Sequence, residues 1–140
     1  MKKKRISVAS AKAKGRNLQK WAAQKIADLT GFEFKEEDDA LISSRPMGQH
    51  GTDVILRGEA LKSFPFSIEC KSSQQWSLPA AIKQSKQNTK KNTDWMLILK
   101  RKEIKTPVVV IDANTFFDIV DVNKLKDRNK EVWYENRYNR

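Results

Sequence analysis

A chain of 140 residues with 28 basic and 17 acidic side chains carries a formal net charge of +11, which attracts a polyanion, and nucleic acid is the commonest one in a cell. The length suits one domain with a real core, and a single cysteine and a single histidine exclude a disulfide framework and a structural zinc site. The single cysteine suits a reducing cytoplasm; no apolar run approaches the roughly 20 residues of a membrane helix, and no long apolar stretch follows the basic start, so neither a membrane helix nor a signal peptide is expected.

Residues 1–13 are rich in Lys, Ala and Ser without periodicity and read as a flexible basic arm. Helical spacing begins at Lys14: Leu18, Trp21, Ala22, Ile26 and Leu29 fall on one face, with Gly31 as a natural stop. The other face carries Arg16, Lys20 and Gln24 and is expected to meet solvent or DNA, while Lys25 lies inside the stripe and has to snorkel. Residues 32–34 read as the start of a strand. Glu36, Glu37, Asp38 and Asp39 form an acidic cluster, read as a solvated loop because adjacent carboxylates do not converge unaided. Residues 43–51 are a loop by their Gly, Pro and Ser content, and they bring Arg45 and His50 towards Asp53.

Residues 53–56 give the first clear strand, 57–64 a connection with a helical turn, and 66–71 the second strand. Ser77 reads as an N-cap with Pro79 in the first turn. The helix it opens, to about residue 91, turns Leu78, Ala81, Ile82 and Ser85 inward and leaves Lys83, Gln84, Lys86 and Gln87 on its flanks and outer face. Residues 95–99 and 108–111 read as buried strands, and 114–120 as a short helix capped by Asn114. Helix, two or three strands, helix, two strands and helix define the α/β class, with a mixed β-sheet flanked by helices over residues 14–120. The remaining 121–140 form a basic tail whose Trp133, Tyr134 and Tyr138 can stack on unpaired bases or cover a second subunit.

Alternate residues of a strand share a face, so Glu69 and Lys71 stand on one side and Ile68 and Cys70 on the other. Singly these residues say little: Asp after Gly-Thr is often a turn residue, and Glu-x-Lys is often a solvated strand face. Their conjunction says more, because Glu69 and Lys71 follow Phe64-Pro65-Phe66-Ser67-Ile68, where charge is costly unless paired or metal-bound. Asp53 opens the strand before. Two carboxylates can hold a magnesium ion, and a lysine can orient or deprotonate an attacking water.

Asp53 with Glu69-Cys70-Lys71 resembles the PD-(D/E)xK nuclease superfamily. Lys14-Gly15-Arg16-Asn17-Leu18-Gln19-Lys20-Trp21, Gly48-Gln49-His50-Gly51-Thr52-Asp53-Val54, residues 64–71 and Ala81-Ile82-Lys83-Gln84 look like the small phage-encoded, Holliday-junction-resolvase-like members, over roughly residues 14–111. The resemblance implies a restriction-endonuclease-like core and a magnesium-dependent DNA endonuclease, manganese substituting, with Asp53, Glu69 and the Cys70 carbonyl as metal ligands. It gives Lys71 the nucleophile or the non-bridging oxygens and Gln84 the orientation of water or backbone. The Cys70 thiol reads as a buried core group.

DNA contacts are expected from Arg16, Gln19, Lys20, Arg45, His50, Lys83 and Lys86, His50 being either a base, a phosphate donor or a plain loop residue. Trp76 is either core or a base-stacking residue. Branched DNA needs paired cuts, so a homodimer is expected, in the host cytoplasm if the chain is phage-encoded, with neither a membrane nor a small-molecule cofactor. Two departures stand out: Gln19 occupies the place of an acidic residue of the archaeal resolvases, and Thr52 precedes the motif Asp where Pro is usual. Two other readings use the same residues, a replication or restriction-type nuclease on duplex or single-stranded DNA and a non-catalytic DNA-binding protein. Intact Asp53, Glu69 and Lys71 argue against the latter.

Overall fold

Ser7 opens the first helix, α1 (Val8–Thr30), by accepting at Oγ from the Ser10 amide at 3.2 Å. Gly31, at φ 80°, ends it by donating its N–H to the Ala27 carbonyl at 2.9 Å, a left-handed backbone that costs least without a Cβ. The computed structural model describes residues 7–73 and 77–126. Residues 1–6, Trp76 and the aromatics Trp133, Tyr134 and Tyr138 of the tail lie outside them. Residues 8–13 belong to α1 rather than to an arm: Ala9, Ala11 and Ala13 favour helix intrinsically, but this turn is largely exposed, so no apolar stripe marks it.

The buried side of α1 is Leu18, Gln19, Ala22, Ala23, Ile26 and Ala27. Trp21 and Leu29, expected inward, are exposed. Two parallel i, i+4 rows, 18-22-26 and 19-23-27, make the stripe, and the alanines let the helix approach the sheet closely. One residue back from Ala22, Trp21 turns away, and the Lys25 ammonium lies 5.6 Å from its ring centroid, so Lys25 has no apolar stripe to escape.

The sheet has five strands in the order β1-β2-β3-β4-β5: β1 (Ile42–Ser44), β2 (Val54–Leu56), β3 (Phe66–Ser72), β4 (Asp94–Lys100) and β5 (Val108–Val110). Neighbours are antiparallel except β3 and β4, which run parallel, and the crossover between them is α3 (Leu78–Gln87). A short α2 (Gly58–Ser63) joins β2 to β3, and α4 (Ala113–Ile119) and α5 (Val122–Lys126) follow β5. The class is thus α/β, a mixed sheet flanked by helices.

Four local expectations fail. Residues 32–34 make only a single bridge, Phe34 to Ile42. Ser43 and Ser44, read as loop, are in β1, where Ser43 is buried and accepts from Arg57 Nη1 at 3.2 Å; polar residues hid the strand. Val108 and Val109 are exposed because β5 is the sheet edge. The cap of α4 is Asp112, whose Oδ1 accepts from the Asn114 amide at 2.9 Å.

Strand alternation divides the core. Val54, Leu56, Ile68, Met96 and Ile98 face α1 together with Ile42 and Phe66. Leu97 and Leu99 face α3 and pack on Ala81, with Trp95 and Ile82 half-buried beside them. Each fully buried branched side chain here contributes about 1.5–3 kcal/mol. The substantial strand contacts of α3 are with β3 and β4, so the part of that face belonging to β1 and β2 is not roofed by it. Among the described residues no helix is long and apolar enough to cross a membrane.

Candidate active site

Asp53 is fixed from both sides before its side chain does anything. Its carbonyl accepts from the Arg45 amide at 2.8 Å and its own amide donates to the Ile68 carbonyl at 2.8 Å. Antiparallel pairing at Val54 and Ile68 then sets Asp53 beside Glu69, both on the face that carries α3. Asp53 Oδ2 accepts from the Cys70 amide at 2.7 Å. Alternate peptide groups of a strand point to the same edge, so the Cys70 carbonyl is directed, like that of Ile68, towards Asp53.

Glu69 is buried, with 3% of its surface exposed, and its Oε1 accepts from Asn88 Nδ2 at 2.8 Å. Burial, then the negative charge of Asp53, raise its carboxyl from the usual 4.5 to about 7; the Asn88 hydrogen bond and the Lys71 ammonium offset part of this. Two acidic groups thus face one another, and the charge of Asp53 adds to burial in making Glu69 hold its proton more tightly. A divalent cation bound by oxygen is one partner that such a pair could take. Among the described residues no group of three or more His, Cys, Asp and Glu could hold a metal. Two carboxylates and the Cys70 carbonyl could still hold a magnesium-type ion that keeps several waters.

The thiol of Cys70 is pushed well up by burial and by both carboxylates, which leaves it a protonated core group rather than a thiolate ligand. Lys71 is half-buried on the same strand face, two residues beyond Glu69.

Gln84 does not join this group. It is exposed on α3 and has no side-chain partner among the described residues. Asn88, one turn further on, takes the place expected of it. The turn bearing Asn88 is pinned by Ser67, whose Oγ accepts from the Lys90 amide at 2.9 Å and lies 2.6 Å from Thr93 Oγ1. Thr93 gives its own proton to the Lys90 carbonyl at 2.7 Å, so Ser67 donates to Thr93 and every hydroxyl is satisfied. The sequence does contain the signal: Ala81, Ser85 and Asn88 continue one inward stripe, and Asn is a common helix-ending residue.

The expected DNA-contacting residues scatter. Arg16 and Lys20 are exposed on α1, against the opposite face of the sheet. Gln19 is buried there, its Nε2 4.0 Å from the sulfur of Met47. His50 is exposed in the loop before Asp53, without a side-chain hydrogen bond among the described residues. Lys83 and Lys86 line an open groove of about 710 Å³ with Leu78, Pro79, Ile82 and Gln87. Only Arg45 is tied to the carboxylate strand, its Nε donating to the Thr52 carbonyl at 2.6 Å. Gly51, at φ 117°, lies flat against that guanidinium: a Cβ there would stand 2.8 Å from Arg45 Nη2.

Comparison with protein-family models, curated proteins and solved structures returns no match.

Proposed function

We propose that this protein is a divalent-metal-dependent DNA endonuclease that hydrolyses phosphodiester bonds, with a restriction-endonuclease-like core and a preference for branched DNA. The observation that carries the reading is the facing of buried Glu69 on β3 and half-buried Asp53, the bend residue just before β2, with Lys71 next on the same face as Glu69. The order helix, two strands, short helix, strand, helix and two strands is compatible with that core, and a net charge of +11 suits a polyanionic substrate.

In this reading Asp53, Glu69 and the Cys70 carbonyl hold magnesium or manganese. The bound ion supplies a more acidic water and charge neutralisation at the phosphate. Lys71 orients the attacking water or meets a non-bridging oxygen, and Asn88 holds the Glu69 carboxylate in one orientation. A four-way junction offers two strands to cut, so the reading carries a homodimer with it.

The test is cleavage of four-way junction, flap, linear duplex and single strand, with and without magnesium, by wild type, Asp53→Asn, Glu69→Gln and Lys71→Ala. The expected outcome is magnesium-dependent cleavage by wild type, strongest on the junction. Each variant should lose it while DNA binding stays within a few-fold and the melting temperature shows a folded protein. Folded variants that cut at wild-type rate would overturn the assignment of the centre. Tight binding by wild type without cutting, under any metal, would make it a non-catalytic DNA-binding protein.

A further inference from the structure

Where the Asp53–Glu69 face runs beyond α3 over β1 and β2, its row of buried side chains is flanked by three cations that no ion pair among the described residues involves. Pairing at Val54 and Ile68 puts Ile55 beside Ser67, and Ser43 pairs with Ile55, so Ser43, Ile55 and Ser67 form one row across β1, β2 and β3. A cation is fastened at each end of the row. Arg57 donates from Nη1 to Ser43 Oγ at 3.2 Å and to the Ala40 carbonyl at 2.8 Å. Lys90 is anchored through its amide on Ser67 Oγ. Arg45 stands in the next row, beside Asp53.

The ion pairs among the described residues are Lys35–Glu33, Lys62–Glu59 and Arg101–Glu103, and none involves these cations. Both guanidiniums are half-buried. A guanidinium has five N–H donors. Arg45 uses its Nε and keeps both terminal nitrogens; Arg57 uses one terminal nitrogen and keeps Nε and the other. The cations also feel one another: partial burial, then Arg45, then Arg57, hold the Lys90 ammonium below its usual range. Converging like charges cost stability unless an anion joins them, and fork-shaped donors match the oxygens of phosphate.

We propose that Arg45, Arg57 and Lys90 form a phosphate subsite that grips a backbone phosphodiester flanking the one at the Asp53–Glu69 pair. This deepens the nuclease reading and rests on it for the identity of the strand. Arg45 is prefixed by the Thr52 carbonyl and the surface of Gly51, and Arg57 by β1, so the site needs little ordering on binding.

The experiment is a methylphosphonate scan in EDTA, with no cleavage possible, in which each phosphate of a bound oligonucleotide is made neutral in turn. Wild type, Arg45→Gln, Arg57→Lys, Lys90→Gln and, as control, Lys25→Gln on α1 beyond the far face are compared by anisotropy. For wild type, one neutralised position is expected to weaken binding about tenfold. At that position Lys90→Gln and Arg45→Gln should show no further loss, and each should lower the salt slope by about one. Lys25→Gln should match wild type. Among the described residues Lys90 makes no side-chain hydrogen bond, so its variant stays informative if Arg57→Lys fails to fold.

Equal penalties in wild type and Lys90→Gln at every position would overturn the subsite. A flat scan, with inorganic phosphate raising the wild-type melting temperature but not that of Lys90→Gln, would make the ligand a free phosphate and overturn the backbone assignment. The nuclease reading fails separately, if wild type binds but does not cut once magnesium is added.

Discussion

The side-chain amide of Asn88, at the end of α3, donates to Glu69 Oε1 on β3 at 2.8 Å, which ties the crossover helix to the buried carboxylate. The bond favours the ionised carboxylate and so opposes the burial and the Asp53 charge that favour the acid. Asn88→Ala is expected to drive the Glu69 carboxyl further up and to weaken magnesium dependence by roughly tenfold to a hundredfold, the range for partners of metal ligands. Cleavage should recover at high magnesium. Unchanged half-saturation in a magnesium titration of cleavage would count against the role.

Glu69 also gives the metal-free protein a definite pH dependence. Its folded pKa, about 7, lies above the usual 4.5 of the unfolded chain, so the folded state binds the proton more tightly. The stability this proton provides is full below about pH 4.5 and is lost as pH rises towards 7. The whole effect is at most on the order of 3 kcal/mol. Denaturant unfolding in EDTA, taken as wild type minus Glu69→Gln, should fall through that window and be flat above it. Magnesium should raise the wild-type melting temperature more at pH 8 than at pH 5. A difference curve that stays level from pH 4 to 8 would remove the buried-carboxylate account.

Much of this was legible in the chain because strand alternation is a strict rule. Glu69 and Lys71 could be put on one face from spacing alone, whereas Asp53, expected to open the neighbouring strand, is the bend residue just before β2. What spacing cannot give is which helix end meets which strand. Asn88 and Gln84 are both amides one turn apart, and only the docking of α3 on β3 and β4 brings Asn88 to Glu69 while leaving Gln84 in solvent. Likewise β1 was hidden because Ser43 and Ser44 are polar, although the buried Ser43 hydroxyl serves Arg57. Charges on α1 looked equivalent to those near the carboxylates until the sheet separated them.

Ser85, one turn before Asn88, is fully buried with its Oγ lacking a hydrogen-bond partner among the described residues. An unpaired buried hydroxyl costs about 1–3 kcal/mol, and alanine is the better helix former. Ser85→Ala is therefore expected to stabilise the protein, by about 1 kcal/mol, with cleavage unchanged. Destabilisation in a urea titration would mean that the hydroxyl has a partner the protein depends on, a buried water being the first to look for.

The surroundings of Gln19 define its role. It lies in the buried stripe of α1, 6% exposed, with the Met47 sulfur 4.0 Å from its amide nitrogen. Gly15, one turn earlier, backs the same methionine: a Cβ on it would stand 3.3 Å from Met47 Cε. Gln19 and Gly15 therefore seat the loop that carries Arg45 and Gly51 into β2, on the side of the sheet away from Glu69. A thioether is a weak acceptor, so packing dominates the contact. Gln19→Ala is expected to cost about 1–2 kcal/mol of stability, with the magnesium titration of cleavage unchanged per folded molecule. Gln19→Met, which fills similar volume without a buried amide, should retain most of the stability. If Gln19→Ala instead shifted the magnesium titration while its melting curve matched wild type, Gln19 would belong to the metal site, and α1 would have to reach the carboxylates in the DNA-bound state.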